Sequence, residues 1–348
     1  MLYFVVVTNN IEKRAGDVMS KKVMETGFWL CYLSPFRLIT HDDEKIDITL
    51  DEINSLSYNH ALLCRIISEI SYPFRGVNVN LGVCGDGALF IKNETECFSV
   101  NDIILLFNDF MCKLAIGGID AEGITTKDVT RGFIHENSHI WPVNFGYSNS
   151  SHMHGRLRMK LANQMETIYL DGACKNSITI TTLNDAVSRG NEILKCVTNL
   201  NTFYLISGIT ELKYGNWSSA LLNLWIIAEQ ITDFLWNNRF LSDSSRNPNI
   251  PSRMKTLKQD HRTYSASVKQ EILFQLDIIP LCSYEQLFSV RKARNKFLHE
   301  GIMIDKNTVV ALYQALCKLI PIAANLESIP FFEKDIGTLF TSDIDCFS

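Results

Sequence analysis

The spacing of apolar residues along the chain changes near residue 180. In the first half, four short runs have the alternating or continuous apolar character of strands: 2–8, 77–83, 88–91 and 177–182. Two longer runs, 50–70 and 101–116, have the length and the period of helices. This mixture predicts an α+β domain over residues 1–182.

From residue 183 onward the apolar pattern is nearly all helical. Its interruptions fall at helix-breaking residues, over 242–251, at Pro280 and at Gly301. We therefore predict an all-α helical bundle over residues 183–348. The predicted fold class is an α+β N-terminal domain followed by this bundle.

The segment 284–301 combines an apolar stripe with a basic edge. On a helical wheel, a stripe forms from Leu287, Val290, Phe297 and Leu298, and Arg294 falls in its middle. A guanidinium keeps its proton, so its burial requires a carboxylate, a phosphate or another subunit as partner. This arginine therefore indicates a specific interaction.

Three polar residues lie along the edge that adjoins this stripe: Arg291, Asn295 and His299. Asn295 and His299 are one helical turn apart. Gly301 is expected to end the helix, which places His299 in the last turn. An imidazole there suits proton transfer near neutral pH.

The string Arg294-Asn295-Lys296-Phe297-Leu298-His299 resembles the R-x4-H motif, in its R-N-x3-H form, of the HEPN superfamily of all-helical nuclease and nucleotide-binding domains. Upstream, the amphipathic segment 216–239 resembles the first long helix of many members. Glu229 lies at the edge of its apolar surface and is the expected partner of Arg291 or Arg294. The resemblance covers roughly residues 183–325.

The resemblance implies a metal-independent endoribonuclease that cleaves single-stranded RNA by attack of a 2′-hydroxyl. His299 would transfer the proton, and Arg294 would bind the phosphate through its planar guanidinium. Asn295 would orient the imidazole or the phosphate. Supporting roles would fall to Glu229 and Arg291, and RNA contacts to Lys292 and Lys296. No cofactor or metal is implied.

One motif supplies one set of these groups, so the resemblance also implies a homodimer through the helical domain. The N-terminal domain would serve for sensing or targeting, with an activating ligand or protein, as in the prokaryotic defence and toxin proteins that the arrangement resembles. Two alternatives stay open. One is a non-catalytic HEPN module that binds nucleotide or RNA or only dimerises; the other is a capped structural helix in which Arg294 pairs with Glu229.

Two motifs in the first half suggest metal chemistry. Residues 83–88, Val-Cys-Gly-Asp-Gly-Ala, faintly resemble the acidic hairpin of nucleotide-cyclase and polymerase palms, which would make the first domain a degenerate sensor. The predicted first strand lacks the second carboxylate that such a palm needs, and Gly-Asp-Gly is also a good hairpin turn, which we favour.

The second motif is the H-E-x-x-H string that runs from His135 to His139. A zinc site of this type requires both imidazoles on one face of a helix. Pro142 and Gly132 oppose a helix here, so we favour histidines in a loop or at the surface.

Composition narrows these possibilities. The chain has 46% hydrophobic residues, and charged residues interrupt its apolar runs, so no membrane partner is expected. Ten scattered cysteines without a C-x-x-C pair are typical of reduced thiols in a cytoplasmic protein. A net charge of −5 argues against nonspecific coating of nucleic acid, so any RNA contact must be local. The basic group at 253–262 could be such a contact or a solvated surface.

Overall fold

The computed structural model describes a set of ranges that covers most of the chain: 25–44, 48–92, 98–135, 139–142, 149–161, 177–243, 245, 248 and 250–333. The strand predicted at 2–8 lies outside these residues. The predicted order of a sheet-containing first half and a helical second half is confirmed.

Six strands form an antiparallel sheet: β1 (Glu25–Tyr32), β3 (Ile66–Phe74), β4 (Val77–Cys84), β5 (Ala88–Lys92), β6 (Thr130–His135) and β7 (His139–Pro142). Their order in the sheet is β3-β4-β5-β1-β6-β7. Side chains alternate between its faces, so Trp29 and Cys31 join the main core whereas Leu30 and Tyr32 join a smaller cluster on the other face. The strands predicted at 77–83 and 88–91 are confirmed.

The helix predicted at 50–70 is wrong. The structure has two single-turn helices, α1 (Leu50–Asn54) and α2 (His60–Cys64), followed directly by β3. Strand β3 pairs with β4 along its length, and this pairing satisfies the backbone groups on the side of β3 that faces β4. The apolar spacing of 66–74 is compatible with either structure, and the neighbouring strand decides between them.

The strand predicted at 177–182 is confirmed only at β8 (Ile178–Thr179), which pairs in parallel with β2 (Ile39–Thr40). A helix begins at Ile180 because the Thr179 side chain accepts a hydrogen bond from the Thr182 amide at 3.2 Å.

Among the described residues of the first half there are two further helices, α3 (Val100–Ile116) and α4 (Asn149–Arg158). The second half contains these elements: α5 (Ile180–Cys196), α6 (Thr202–Lys213), α7 (Trp217–Leu235), a π-helical turn (Trp236–Phe240), α8 (Pro251–Gln259), α9 (Ala266–Gln275), α10 (Leu281–Glu300), α11 (Lys306–Ala324) and a 3-10 turn (Pro330–Glu333). The helices predicted at 101–116, 216–239 and 284–301 are confirmed as α3, α7 with its π turn, and α10.

Helix α3 joins the two halves of the molecule. It packs against α5 and α6, and the sheet lies within the same hydrophobic core. The backbones of α3 and α5 approach closely at two glycines. A Cβ atom added to Gly190 would lie 1.9 Å from the Lys113 carbonyl oxygen, and a Cβ atom added to Gly117 would lie 1.9 Å from the Ala186 carbonyl oxygen. The predicted division at residues 182/183 falls in the first turn of α5, inside this shared core.

Helix α11 lies between α7 and α10 and packs against both. Among the described residues it is the one helix with the length and apolar composition of a membrane span, with a mean hydropathy of 1.3. In this structure 56% of the 18-residue apolar stretch of α11 is buried inside the protein. Its apolar residues therefore act as the centre of the helical bundle, and α10 is held on its surface.

Candidate functional site

Helix α10 carries the candidate site, and its buried face is the predicted stripe with one change. Ser283, Leu287 and Val290 are buried against the bundle, and Phe297 packs partly against it. Leu298, which the wheel placed in the stripe, is 46% exposed because it lies about 100° beyond Phe297. Arg294 is partly buried on the stripe, as expected.

The contacts of Arg294 do not include a carboxylate of the described residues. Its guanidinium carbon lies 5.8 Å from the centre of the Trp225 ring, and Nη1 lies 3.5 Å from Oδ1 of Asn295. Its Nε is buried and donates to no acceptor among the described residues. The guanidinium therefore keeps most of its hydrogen-bonding capacity for a ligand or a partner.

Glu229 bonds to Trp225 instead of to an arginine. The Trp225 indole Nε1 donates to Oε1 of Glu229 at 2.7 Å. The expected pairing of Glu229 with Arg291 or Arg294 is therefore wrong. The two side chains on α7 are one turn apart, so the indole reaches the carboxylate within its own helix. Trp225 thus lies between Arg294 and Glu229: its ring faces the Arg294 guanidinium, and its indole N–H donates to Glu229.

Arg291 is connected to α7 through neutral groups. Its Nη1 donates to Oε1 of Gln270 at 3.3 Å, and Nε2 of Gln270 donates to the Thr232 hydroxyl at 3.2 Å. That hydroxyl donates to the carbonyl of Ala228 at 2.7 Å. This chain of hydrogen bonds holds the Arg291 side chain in place without neutralising its charge.

Asn295 and His299 are exposed on the outer side of α10. The helix ends as predicted: Gly301 has φ of 71°, and its N–H donates to the Phe297 carbonyl at 3.1 Å. Arg294 and His299 are five residues apart, which is about 140° around the helix. A single chain therefore presents the guanidinium and the imidazole on different sides of α10, with Asn295 between them.

The surface around the motif is both basic and apolar. Between residues 291 and 296 there are four cationic side chains, including exposed Lys292 and Lys296, and no carboxylate. Beyond the motif, three large apolar side chains are exposed: Leu298 by 46%, Ile302 by 49% and Met303 by 79%. An apolar patch beside an unpaired guanidinium is a surface suited to a second protein chain.

Asp86 occupies the predicted hairpin turn but lies in the protein interior. Arg158 donates to both carboxylate oxygens, from Nε and from Nη2, at 2.7 Å each, and Nδ1 of His154 lies 3.3 Å away. Burial by itself raises the pKa of Asp86, but the Arg158 guanidinium outweighs it and holds that pKa well below its usual value. The carboxylate is thus committed to a structural ion pair, and Arg158, 72 residues away, had no signal near it in the sequence.

The ends of the H-E-x-x-H string lie on adjacent antiparallel strands. His135 is paired with His139 across the β6–β7 hairpin, and residues 136–138 lie outside the described residues. The helix that a zinc site of this type requires is replaced by this hairpin. Over the described ranges, no group of three His, Cys, Asp or Glu side chains is arranged to hold a metal ion.

Two features near the motif were not found from the sequence. Phe274, Tyr284 and Phe288 form a series of neighbouring rings beside Arg291 and Lys292. The one-turn spacing of Tyr284, Phe288 and Lys292 was a signal for part of this arrangement. The role of Trp225 as the group between Arg294 and Glu229 had a similar signal in its one-turn spacing from Glu229.

Comparison of the chain with protein families, with characterised proteins and with solved structures finds no match.

Proposed function

We propose that this protein is a metal-independent endoribonuclease of the HEPN type, which cleaves single-stranded RNA as a homodimer in the cytoplasm. One observation carries the proposal: Arg294 is partly buried, yet none of the described carboxylates pairs with it, and the Glu229 carboxylate bonds to Trp225. The structural alternative required an Arg294–Glu229 pair. A guanidinium left open beside a basic helix edge suits a phosphate.

The reaction needs no group beyond RNA and protein side chains. His299 accepts the proton of a 2′-hydroxyl as its oxygen attacks the adjacent phosphorus. Arg294 stabilises the charge that develops on the phosphorane oxygens. The bond from phosphorus to the 5′-oxygen then breaks, and that oxygen takes a proton from an imidazolium. The products are a 2′,3′-cyclic phosphate and a 5′-hydroxyl.

A homodimer would bring together an arginine and a histidine, which a single chain holds on different sides of α10. Arg294 and His299 lie about 140° apart on one helix, so two copies of α10 facing each other could place an arginine of one chain beside a histidine of the other. The exposed apolar side chains of Leu298, Ile302 and Met303 support an interface at this end of α10. The seven described cysteines are free thiols, which supports a reducing compartment.

The N-terminal half would regulate this activity. Helix α3 packs against α5 and α6, so a ligand or protein bound at the sheet could act on the helical half through a continuous core. In this proposal the N-terminal half binds an activating ligand or protein, as expected for a prokaryotic defence or toxin effector.

A second candidate is a non-catalytic module that binds RNA or nucleotide or serves for dimerisation. The separation of Arg294 and His299 around the helix favours it, because one chain does not assemble a catalytic set. This candidate predicts RNA affinity without turnover under any condition.

Incubation of the purified protein with single-stranded RNA in EDTA tests the proposal. We expect cleavage with 2′,3′-cyclic phosphate ends, and we expect His299→Ala and Arg294→Ala each to abolish it while the dimer remains. His152→Ala, an exposed histidine on α4, is the matched control and should cleave normally. Activity that survives both α10 substitutions, or that EDTA removes from the wild type, contradicts the assignment.

A further inference from the structure

The geometry points to a nucleobase-stacking subsite on Phe288, which holds an unpaired base of a single-stranded nucleic acid upstream of His299 on α10. The inference rests on the proposed function for its ligand class. It adds a positioning residue that neither the motif nor its spacing assigns.

Phe288 is the exposed end of a series of aromatic rings. Phe274 and Tyr284 stack with ring centres 4.6 Å apart and planes 13° apart, and Tyr284 and Phe288 follow at 6.2 Å and 30°. The Tyr284 hydroxyl donates to the Glu271 carboxylate, which also accepts from Gln275 at 2.9 Å. These contacts fix the Phe274 and Tyr284 rings, beside which Phe288 lies, before any ligand binds.

Phe288 itself is 38% exposed, although Phe is a residue that folding normally buries. Two cations lie over its ring: Nζ of Lys292 at 4.3 Å and the guanidinium carbon of Arg291 at 5.3 Å from the ring centre. Arg291 is held by Gln270, whereas Lys292 is exposed and has a flexible side chain. A base can therefore displace Lys292 from the ring, and its ammonium can move to the adjoining phosphate.

The subsite is aligned with the proposed catalytic residue. Phe288 and His299 are eleven residues apart, which places them within about 20° of each other around the helix and about 16 Å apart along its axis. Asn295 lies on the same side, one turn before His299. A single strand that follows this face would meet the Phe288 ring first, then the Lys292 ammonium, and then the His299 imidazole.

The combination of rings and cations favours nucleic acid over a peptide as the ligand. Proteins that bind single strands use aromatic side chains for the bases and basic side chains for the backbone. In a chain with a net charge of −5, Lys292 and Lys296 lie about 40° and 80° from Phe288 around the helix, beside the path that a phosphate backbone would take. An apolar peptide segment would gain nothing from that charge.

Binding of a 5′-labelled twelve-nucleotide oligouridine, followed by fluorescence anisotropy over a range of salt concentrations, tests the subsite. The parent protein carries His299→Ala so that RNA is bound without being cut. In this background, Phe288→Ala should weaken binding about 5- to 100-fold, since stacking on one aromatic residue is worth this much. Phe288→Trp should retain the affinity of the parent, which separates loss of the ring from loss of the fold.

Two comparisons identify the interaction. On an oligomer with abasic positions, Phe288→Ala should bind as the parent does, because no base remains to stack. Lys292→Met should instead reduce the slope of log affinity against log salt by about 0.7, the value for one phosphate contact on a single strand. Phe203→Ala, which removes a ring that pairs edge-to-face with Tyr204 on α6, is the matched control and should leave binding unchanged.

The outcomes separate this inference from the proposed function. If Phe288→Ala binds RNA as tightly as the parent, or loses the same affinity on the abasic oligomer, the subsite is refuted even where the wild type cleaves RNA. If the parent binds no RNA at low salt, the ligand class itself is wrong and a protein partner takes its place. If the wild type never cleaves RNA but the Phe288 dependence is observed, the subsite stands and the catalytic assignment falls.

Discussion

Removing Arg158 should destabilise the fold strongly, because it would leave a buried carboxylate without its cation. Asp86 and Arg158 are 1% and 0% exposed, and Arg158 donates twice to the carboxylate at 2.7 Å and once to the Ile140 carbonyl at 2.6 Å. Breaking a buried pair by removing one partner costs about 3–5 kcal/mol. We therefore expect Arg158→Met to lower the free energy of unfolding by about this amount.

The double variant makes this prediction specific. Asp86→Asn together with Arg158→Met leaves no charge behind, so the loss should be smaller than the sum of the two single losses by about 1–3 kcal/mol. Urea unfolding followed by tryptophan fluorescence measures all three variants. Arg75→Met, which removes the cation of an exposed ion pair with Asp102, is the matched control and should change little.

The same pair sets the response to acid. Because the folded pKa of Asp86 lies below its unfolded value of about 3.9, its contribution to stability is complete above that value. The contribution is lost as the pH falls from there toward the folded pKa. Wild type should lose stability more steeply below about pH 4 than Asp86→Asn does. Additive losses in the double variant, or an Arg158→Met protein as stable as the Arg75→Met control, would refute this account.

Two further predictions concern the helical half. Cys282 should react with iodoacetamide at pH 7 faster than Cys196, which is also exposed, because the Lys318 ammonium, 3.1 Å from Sγ, lowers the pKa of Cys282 by a hydrogen bond. Lys318→Met should slow this reaction, and equal rates for the two thiols in the wild type would exclude the effect. Met303→Asp should convert the proposed dimer into a monomer in light scattering at micromolar concentration, whereas Met159→Asp, at a side chain of the first half that is 45% exposed, should not. A wild type that is already monomeric would remove the support for the interface.

Local signals were enough to predict much of the helical half. Helix α10 follows the 3.6-residue period of its apolar residues and ends at Gly301. The positive φ of Gly301 lets its N–H donate to the Phe297 carbonyl of the last turn. Helix α3 has the same kind of local specification, with Ser99 and Asp102 forming its capping box. These signals depend on residues that are close in sequence, so they can be recognised without the tertiary structure. The partly buried position of Arg294 also followed from its place in the stripe.

The partners of the functional side chains were decided by tertiary structure. Segment 66–74 is a strand because β4 lies beside it, and Asp86 is an ion-pair residue because α4 brings Arg158 to it across 72 residues. Glu229 is an exception: its partner Trp225 lies one turn away on the same helix, a local contact that the assignment to an arginine overlooked. The ring of Phe274 meets Tyr284 only because α9 packs against α10. Periodicity specifies which face of an element is buried, whereas hydrogen bonds and ring contacts depend on distances of a few ångströms between elements, which only the packed chain determines.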